Sequence, residues 1–314
     1  MEQDCTDPVN GLPADEPDQP ELAEDAASYA PASNCDCCGE ARAAGGASVR
    51  GDSAPEPADP SYVYVLGQID FRFPSLGIEK EIAQNAGRTT TVDLTDRQAL
   101  CHIVSQPENR YLARQLCYVL RVQGIETYIL RPRDPVEFDL LVDAVRPEPR
   151  STDLDVVIGT RGPLAPPGLC NGLTIPVVDF DQIYSFNGEE LVRAIDRPEQ
   201  MTAEQFEPAS YDLLRRVMQL GDNAGNTDEH RALNYLAVRY PRIYEKTVEA
   251  YAAECSLSAV GFRESRLSGT RRIIDVLISY TGRRTDVTEK FFVRVDVTEE
   301  FPFLVTKLSP YYDR

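Results

Sequence analysis

Residues 62–73 read YVYVLGQIDFRF. β-branched and aromatic side chains dominate this run, and its second half alternates between apolar and polar residues, so it predicts a β-strand. Ser75 and Thr95 are suitable N-caps for two helices after it, ending near residues 84 and 104. Apolar residues recur at helical spacing over residues 108–123, which predicts a third helix.

Short apolar runs then alternate with a helical pattern. Residues 125–130, 154–159 and 173–180 predict strands, and residues 135–145 predict a helix after the first of them. Alternation of this kind favours a βαβ-like unit with a partly parallel sheet. We therefore expect one mixed α/β domain over residues 61–199.

The second half of the chain begins with helical patterns and ends with strand patterns. Thr202 heads a capping-box pattern for a helix to about Leu220, and Pro241 should kink or divide the helical region that follows. Three strand-like runs come last, at residues 258–263, 272–280 and 289–296.

These patterns predict an α+β fold. We expect an N-terminal mixed α/β unit followed by helices packed on a C-terminal antiparallel β-meander. The second domain should cover residues 200–314.

Residues 1–60 differ in composition from the rest of the chain. They are rich in Pro, Ala and acidic residues, and Tyr29 is the one aromatic residue between Gln3 and Pro60. Such a segment buries too little apolar surface to offset the entropy lost on ordering, so we expect a disordered acidic tail or linker. It holds fourteen acidic and two basic side chains, and therefore contributes −12 to the net charge of −19. This balance argues against nucleic-acid binding and against docking on anionic lipids.

The apolar runs and the cysteines indicate the compartment. No run of about 18 apolar residues is present to span a bilayer, and the first residues lack the basic and apolar regions of a signal peptide. Cys101, Cys117, Cys170 and Cys255 lie singly among apolar residues, as reduced buried thiols do. We therefore expect a cytoplasmic protein without a membrane partner.

The sequence contains two histidines, His102 and His230, and neither completes a hydrolase motif. Cys101 and His102 are adjacent on a predicted helix, where neighbouring side chains diverge by about 100°, which disfavours a catalytic pair. His230 stands three residues after Thr227, where it is placed to bond back to a helix cap. Residues 268–270 predict a hairpin turn rather than a serine-hydrolase fragment, and no G-x-S-x-G motif occurs. We expect no catalytic residue.

One local cluster has metal-binding potential. Cys35, Cys37 and Cys38, with Cys5 as a fourth ligand, could hold Zn²⁺ as thiolates. Their spacing is tighter than the usual pair of zinc ligands, so we favour a flexible, redox-accessible cysteine tract and expect no cofactor, with a zinc site at these cysteines as the alternative.

Two further patterns have weaker implications. Residues 159–162 could form an anion-binding strand end, although the prolines that follow leave no helix N-terminus to bind phosphate. Asp296, Glu299 and Glu300 close the last predicted strand, with Asp286 and Glu289 before it. We expect a solvated acidic rim there; a docking surface for a basic peptide or a divalent-ion site is the alternative.

Several long runs of the sequence resemble one family together. They are YVYVLGQIDFRFPSLGIEKEIAQ at residues 62–84, SQPENRYLARQL at residues 105–116, DVVIGTRGPLAPPGLCNGLTIP at residues 155–176, DNAGNTDEHRALNYLAVRY at residues 222–240, and TDVTEKFFVRVDVTEEFPFLVTKLSPYYDR at residues 285–314. Over residues 61–314 the chain resembles the C-terminal region of PatG-type cyanobactin maturation proteases.

The resemblance implies a context and no reaction. In that family a subtilisin-like domain releases and macrocyclises a ribosomally made precursor peptide, and the region matched here is a downstream domain of unknown function. The Asp, His and Ser motifs of the protease domain are absent from this sequence, so no catalytic residue carries over.

We hypothesise a recognition or scaffolding module that binds a precursor peptide or a subtilisin-like maturation protease. An exposed strand edge could take up an extended peptide by main-chain pairing. A peptide-modifying enzyme using Cys101 and His102, His230 or the Cys35 cluster is one alternative, and an assembly domain that forms a homodimer is another.

Overall fold

The computed structural model describes residues 61–86, 94–195, 197 and 201–312. In this part of the chain, five strands close into a barrel in the order β1-β2-β3-β5-β4. The barrel strands are β1 (Tyr62–Arg72), β2 (Cys117–Val122), β3 (Ile125–Pro132), β4 (Asp153–Leu164) and β5 (Pro176–Asn187). β3 and β5 pair in parallel, as the alternating pattern led us to expect, and the other four pairs are antiparallel.

Five helices accompany the barrel strands. They are α1 (Leu76–Ala86), α2 (Asp96–Val104), α3 (Arg110–Ala113), α4 (Phe138–Ala144) and α5 (Gly188–Ala194). The capping box of α2 is present, because Thr95 Oγ1 accepts from the Gln98 N–H (3.3 Å) and Gln98 Oε1 accepts from the Thr95 N–H (2.8 Å). The expected start of α2 is therefore confirmed.

The prediction of a helix over residues 108–123 is wrong. Only α3 is helical there after a 3₁₀ turn at Pro107–Asn109, and the second half of the segment is strand β2. Gln123 and Gly124 have φ angles of 52° and 81° and form a two-residue hairpin turn to β3. Pairing of β2 with both β1 and β3 outweighs the helical periodicity of this short apolar run.

Three helices and a four-stranded antiparallel sheet form the second half. They are α6 (Ala203–Met218), α7 (Asp228–Arg239) and α8 (Arg242–Ala252), and β6 (Cys255–Glu264), β7 (Ile273–Gly282), β8 (Thr288–Asp296) and β9 (Phe303–Tyr311). Pro241 separates α7 from α8 as expected. Thr202 precedes α6 but its side chain makes no capping hydrogen bond. The α+β class with a C-terminal antiparallel meander is confirmed, and β9 adds a strand that the pattern did not predict.

Strand β1 lies between two apolar layers. Val63 and Val65 pack into a cluster with α1, α2 and α4, whereas Tyr64 and Leu66 pack into a cluster with α6, α7, α8 and the C-terminal sheet. The continuous apolar run of residues 62–66 supplies apolar side chains to both faces, as a strand buried on both sides requires.

Hydrogen bonds from β1 to the segment before α7 and to α7 itself connect the barrel to the C-terminal helices. The Tyr64 N–H donates to the Gly225 carbonyl (2.9 Å), and Asn234 Nδ2 donates to the Tyr64 carbonyl (2.9 Å). Asn223 and Asn234 bond to each other through their amides (2.7 and 3.1 Å). The described residues form one compact unit, and a domain boundary between residues 199 and 200 stays a prediction.

Two further expectations concern the N-terminal tail and membrane-spanning helices. Residues 1–60, predicted to be a disordered tail or linker, lie outside them. Among the residues that are described, none of the helices has the length and apolar character needed to cross a bilayer.

Candidate functional site

Cys101 and His102 lie together on α2 but contact different groups. The Cys101 thiol donates to the Val145 carbonyl (3.7 Å), and burial raises its pKa. The His102 ring is exposed, and its Nε2 lies 3.1 Å from Gln106 Nε2. The two side chains therefore do not form a nucleophile–base pair.

His230 occupies the capping position expected for it. Its N–H donates to Thr227 Oγ1 (3.2 Å), and its ring packs edge-on against Phe262 with ring centroids 6.5 Å apart. Burial lowers the pKa of the imidazole, and its Nδ1 is buried with no hydrogen-bond partner among the described residues. No hydrogen bond in this part of the chain joins the ring to a serine or cysteine.

The serine and glycine motifs are structural. Ser268 Oγ bonds to the backbone of Ile273, and Gly269 has a φ of 53°, so this segment is the expected turn between β6 and β7. Residues 159–162 lie within β4 rather than at a strand end, which corrects the anion-site expectation. A Cβ on Gly159 would lie 2.4 Å from the Asp179 carbonyl oxygen, so this glycine allows β4 and β5 to approach.

The predicted zinc ligands Cys5, Cys35, Cys37 and Cys38 lie outside the described residues. Within residues 61–86, 94–195, 197 and 201–312, no cluster of three or more His, Cys, Asp or Glu side chains is arranged to hold a metal ion. The zinc site stays a prediction.

Cys117 and Cys170 form a disulfide, which corrects the expectation of four reduced thiols. The two residues are 53 positions apart, with Cα atoms separated by 5.9 Å, and both are buried. The bond joins the start of β2 to the loop between β4 and β5. Cys101 and Cys255 are free.

An apolar pocket of about 420 Å³ opens beside this disulfide, and we call it the disulfide pocket. It lies between β2, β3, the residues that follow α3, helix α4 and the loop of Cys170. Its lining is mostly apolar, with two arginines and a glutamine: Arg114, Gln115, Leu116, Cys117, Tyr118, Ile129, Leu130, Arg131, Pro132, Pro135, Phe138, Leu141, Leu169, Cys170 and Val177. Sequence reasoning missed this pocket because its walls come from segments far apart in the chain.

The polar groups of the disulfide pocket are cationic. Arg131 is held by Asp179 through two hydrogen bonds (2.5 and 2.9 Å), which raise the pKa of its guanidinium. Arg114 stacks on the ring of Phe138 (5.7 Å) and forms no ion pair with a described carboxylate. Leu169, 45% exposed, forms an apolar part of the rim. The arrangement is suited to bind an apolar group that has an anion beside it.

The acidic residues predicted to form a solvated rim are in part buried. Asp296 is 2% exposed; it accepts from the Thr298 N–H (2.9 Å) and pairs with Arg271 (3.3 Å). Glu300 pairs with Arg133 (3.0 Å), which also contacts Asp181 (2.6 Å). The pKa of Glu300 is raised to about 7, mainly by burial. A hydrogen bond to Asp181 and the negative charge of Asp181 also act to raise it.

The contribution of Glu300 to the stability of the protein should fall as the pH rises from about 5 to 8, whereas His230, whose pKa is lowered by burial, acts in the opposite direction. Because the pKa of Glu300 is about 7 in the fold and near 4.5 in an unfolded chain, the native state binds more protons in this window. Glu137, whose pKa is also raised by burial, acts in the same direction. With allowance for solvent screening, we expect Glu300→Gln to remove about 1–2 kcal/mol of this pH dependence.

Urea denaturation at pH 5, 6.5 and 8 measures this effect. Glu299→Gln is the matched control, because Glu299 is the exposed neighbour of Glu300. Identical pH profiles for wild type and Glu300→Gln would contradict the assignment.

The fold and pocket define an α+β domain with an apolar pocket and, among the described residues, no assembled nucleophile–base pair. Residues 200–311 match the family model described as PatG C-terminal. A solved structure described as "PatG Domain of Unknown Function" has a similar fold, with a TM-score of 0.65 and 21% sequence identity over 80% of this chain and 98% of that chain. No curated protein matches the chain. The resemblance to the PatG C-terminal region predicted from the sequence is confirmed.

Proposed function

We propose that this domain is a non-catalytic recognition or scaffolding module that binds a precursor peptide in cyanobactin-like ribosomal peptide maturation. The partner that acts on the bound peptide would be a subtilisin-like maturation protease, in the cytoplasm. The observation that carries the proposal is the disulfide pocket, with its apolar depth, its exposed Leu169 and its unpaired Arg114. The likeness to the PatG domain supports the proposal that the ligand is a peptide from such a maturation pathway.

The dimensions of the pocket limit what it binds. A volume of about 420 Å³ lies near the lower end of small-molecule sites, which corresponds to one or two peptide side chains. Arg114 favours an acidic residue next to the apolar one, since a carboxylate forms a bidentate pair with a guanidinium. The recognised element is therefore a short apolar–acidic motif.

A peptide could also bind by main-chain pairing with an exposed strand edge. The described sheets offer fewer free edges for this than the sequence suggested. The barrel is closed, so the outer strands of the described sheets are β6 and β9. On β9, the Leu308 N–H donates to the Tyr240 hydroxyl (2.9 Å) and is not available to a peptide strand. The proposal therefore uses side-chain recognition in the pocket.

Titration of fluorescently labelled precursor peptide with the full chain tests this proposal. Leu169→Asp places a charge on the apolar rim, and we expect binding to weaken at least about tenfold, which corresponds to a loss of about 1.4 kcal/mol. Leu267→Asp is the matched control, because Leu267 is a similarly exposed leucine (58% against 45%) on the turn between β6 and β7. Its affinity should equal that of the wild type.

Equal affinity of the two variants would show that the disulfide pocket is not the peptide site. Absence of binding to the wild type would show that the precursor peptide is not the ligand. Intact-mass analysis of the peptide after incubation separates recognition from catalysis: we expect an unchanged mass, and a changed mass would establish a peptide-modifying enzyme. Light scattering of the same samples detects a homodimer, in which the main partner is a second copy of the chain.

A further inference from the structure

A second cavity, of about 470 Å³, lies where the barrel meets α7 and the turn between β8 and β9, and we call it the seam cleft. Its walls carry three tyrosines, a glutamine, an arginine and a phenylalanine: Tyr64, Gln182, Tyr184, Tyr235, Arg239 and Phe301. None of these residues lines the disulfide pocket, so the two cavities are separate sites.

Tyr64 lines the seam cleft, and its hydroxyl forms no hydrogen bond with a described residue. Its side chain is 2% exposed, and none of the hydrogen bonds among the described residues involves its hydroxyl. Burial raises the pKa of this phenol, so it keeps its proton at neutral pH. Arg239, Tyr184 and Tyr235 line the same cleft. Because Tyr64 lines the cleft and no described group bonds to its hydroxyl, this hydroxyl is available to donate a hydrogen bond to a ligand.

Arg239 supplies a positive charge that no described carboxylate neutralises. Its guanidinium lies over the ring of Tyr184 (5.6 Å) and takes part in no ion pair in the described part of the chain. Two carboxylates stand next to cleft residues in the chain, Asp181 before Gln182 and Glu300 before Phe301. Both form ion pairs with Arg133 instead (2.6 and 3.0 Å). The cleft therefore combines a cation with a neutral hydroxyl donor, which is the donor set for an anion.

The walls of the cleft are aromatic. Tyr64 and Tyr235 meet edge to face, with ring centroids 6.2 Å apart and planes at 83°, and Phe301 is 45% exposed. Such surfaces hold a flat or apolar group beside the anion.

We propose that the seam cleft binds a carboxylate attached to an aromatic or apolar body, with Arg239 and the Tyr64 hydroxyl on the carboxylate. Two sources share this chemistry, a small aromatic acid and the C-terminal residue of a peptide. The proposal is independent of peptide recognition in the disulfide pocket, because it rests on different residues.

Calorimetric titration of the full chain with N-acetylphenylalanine and with its amide tests the proposal. The two probes differ only in the carboxylate, and we expect the acid to bind at least about tenfold more tightly, as for a hydrogen-bonded ion pair. Tyr64→Phe removes one oxygen and should weaken binding of the acid about tenfold, and Arg239→Gln should weaken it more. Arg266→Gln, at an exposed arginine on the turn between β6 and β7, is the matched control and should bind like the wild type.

Equal binding of acid and amide would overturn the proposal, and so would acid binding that neither substitution changes, or no binding of the acid to the wild type. Thermal melting of each variant verifies that the fold is retained. A pentapeptide that ends in phenylalanine distinguishes the sources: binding as tight as that of the single residue identifies a peptide C-terminus, and much weaker binding identifies a small acid. Leu169→Asp should leave all these affinities unchanged, which separates failure here from failure of the disulfide pocket.

Discussion

Replacing Gly225 with alanine should lower the free energy of unfolding by about 3–5 kcal/mol. The residue has a φ of +66°, where an L side chain is strained, and a Cβ would lie 2.5 Å from the Tyr64 carbonyl oxygen and 2.6 Å from the Val65 Cα. These are backbone atoms of barrel strand β1, so they cannot turn away. The Gly225 carbonyl also accepts the Tyr64 N–H, and a shift of the chain would break that bond.

Urea denaturation followed by circular dichroism measures this loss. Gly124→Ala is the matched control: its φ is +81°, but no atom lies within 4 Å of the added Cβ. It should cost only the conformational strain, about 1 kcal/mol. Equal losses for the two variants would show that the close approach of Gly225 to β1 has no energetic consequence.

Replacing Arg231 with methionine should lower the free energy of unfolding by about 3–5 kcal/mol. The side chain is 1% exposed, and its guanidinium donates to the carbonyls of Val297 (2.7 Å), Glu299 and Glu300 (3.3 Å). It also pairs with Asp228 (3.4 Å). Methionine fills much of the volume but leaves these acceptors without a donor.

Arg266→Met is the control for this substitution, because Arg266 is exposed and forms no ion pair with a described residue. Its effect should stay within about 0.5 kcal/mol. Arg231→Lys retains the charge but has no planar fork, so it should recover only part of the loss. A small effect of Arg231→Met would mean that the turn between β8 and β9 does not depend on this guanidinium.

Both substitutions fall in residues 222–240, the run DNAGNTDEHRALNYLAVRY that carries part of the family resemblance. Gly225 and Asn234 contact the barrel strand β1, and Arg231 contacts the turn before β9. This run therefore connects the barrel to the C-terminal sheet, which is a structural reason for its distinctive composition.

Local signals in the sequence predicted much of the secondary structure. The β-branched and aromatic run in residues 62–73 predicts strand β1, the Thr95 cap starts α2, and Pro241 separates α7 from α8. Each signal acts between residues that are close in the chain, so no tertiary contact is needed to interpret it. Residues 117–122 were assigned wrongly because a short apolar run suits a helix and a strand equally, and only its pairing with β1 and β3 decides.

The sequence by itself determined the α+β class, the meander and the resemblance to the PatG C-terminal region. Only the tertiary structure decided the closure of the barrel, the Cys117–Cys170 bond and the two cavities. Each of these joins residues that are tens of positions apart, as Tyr64 and Arg239 are in the seam cleft. Residue spacing and composition carry no information about which distant side chains meet, because that outcome depends on the packing of the whole chain.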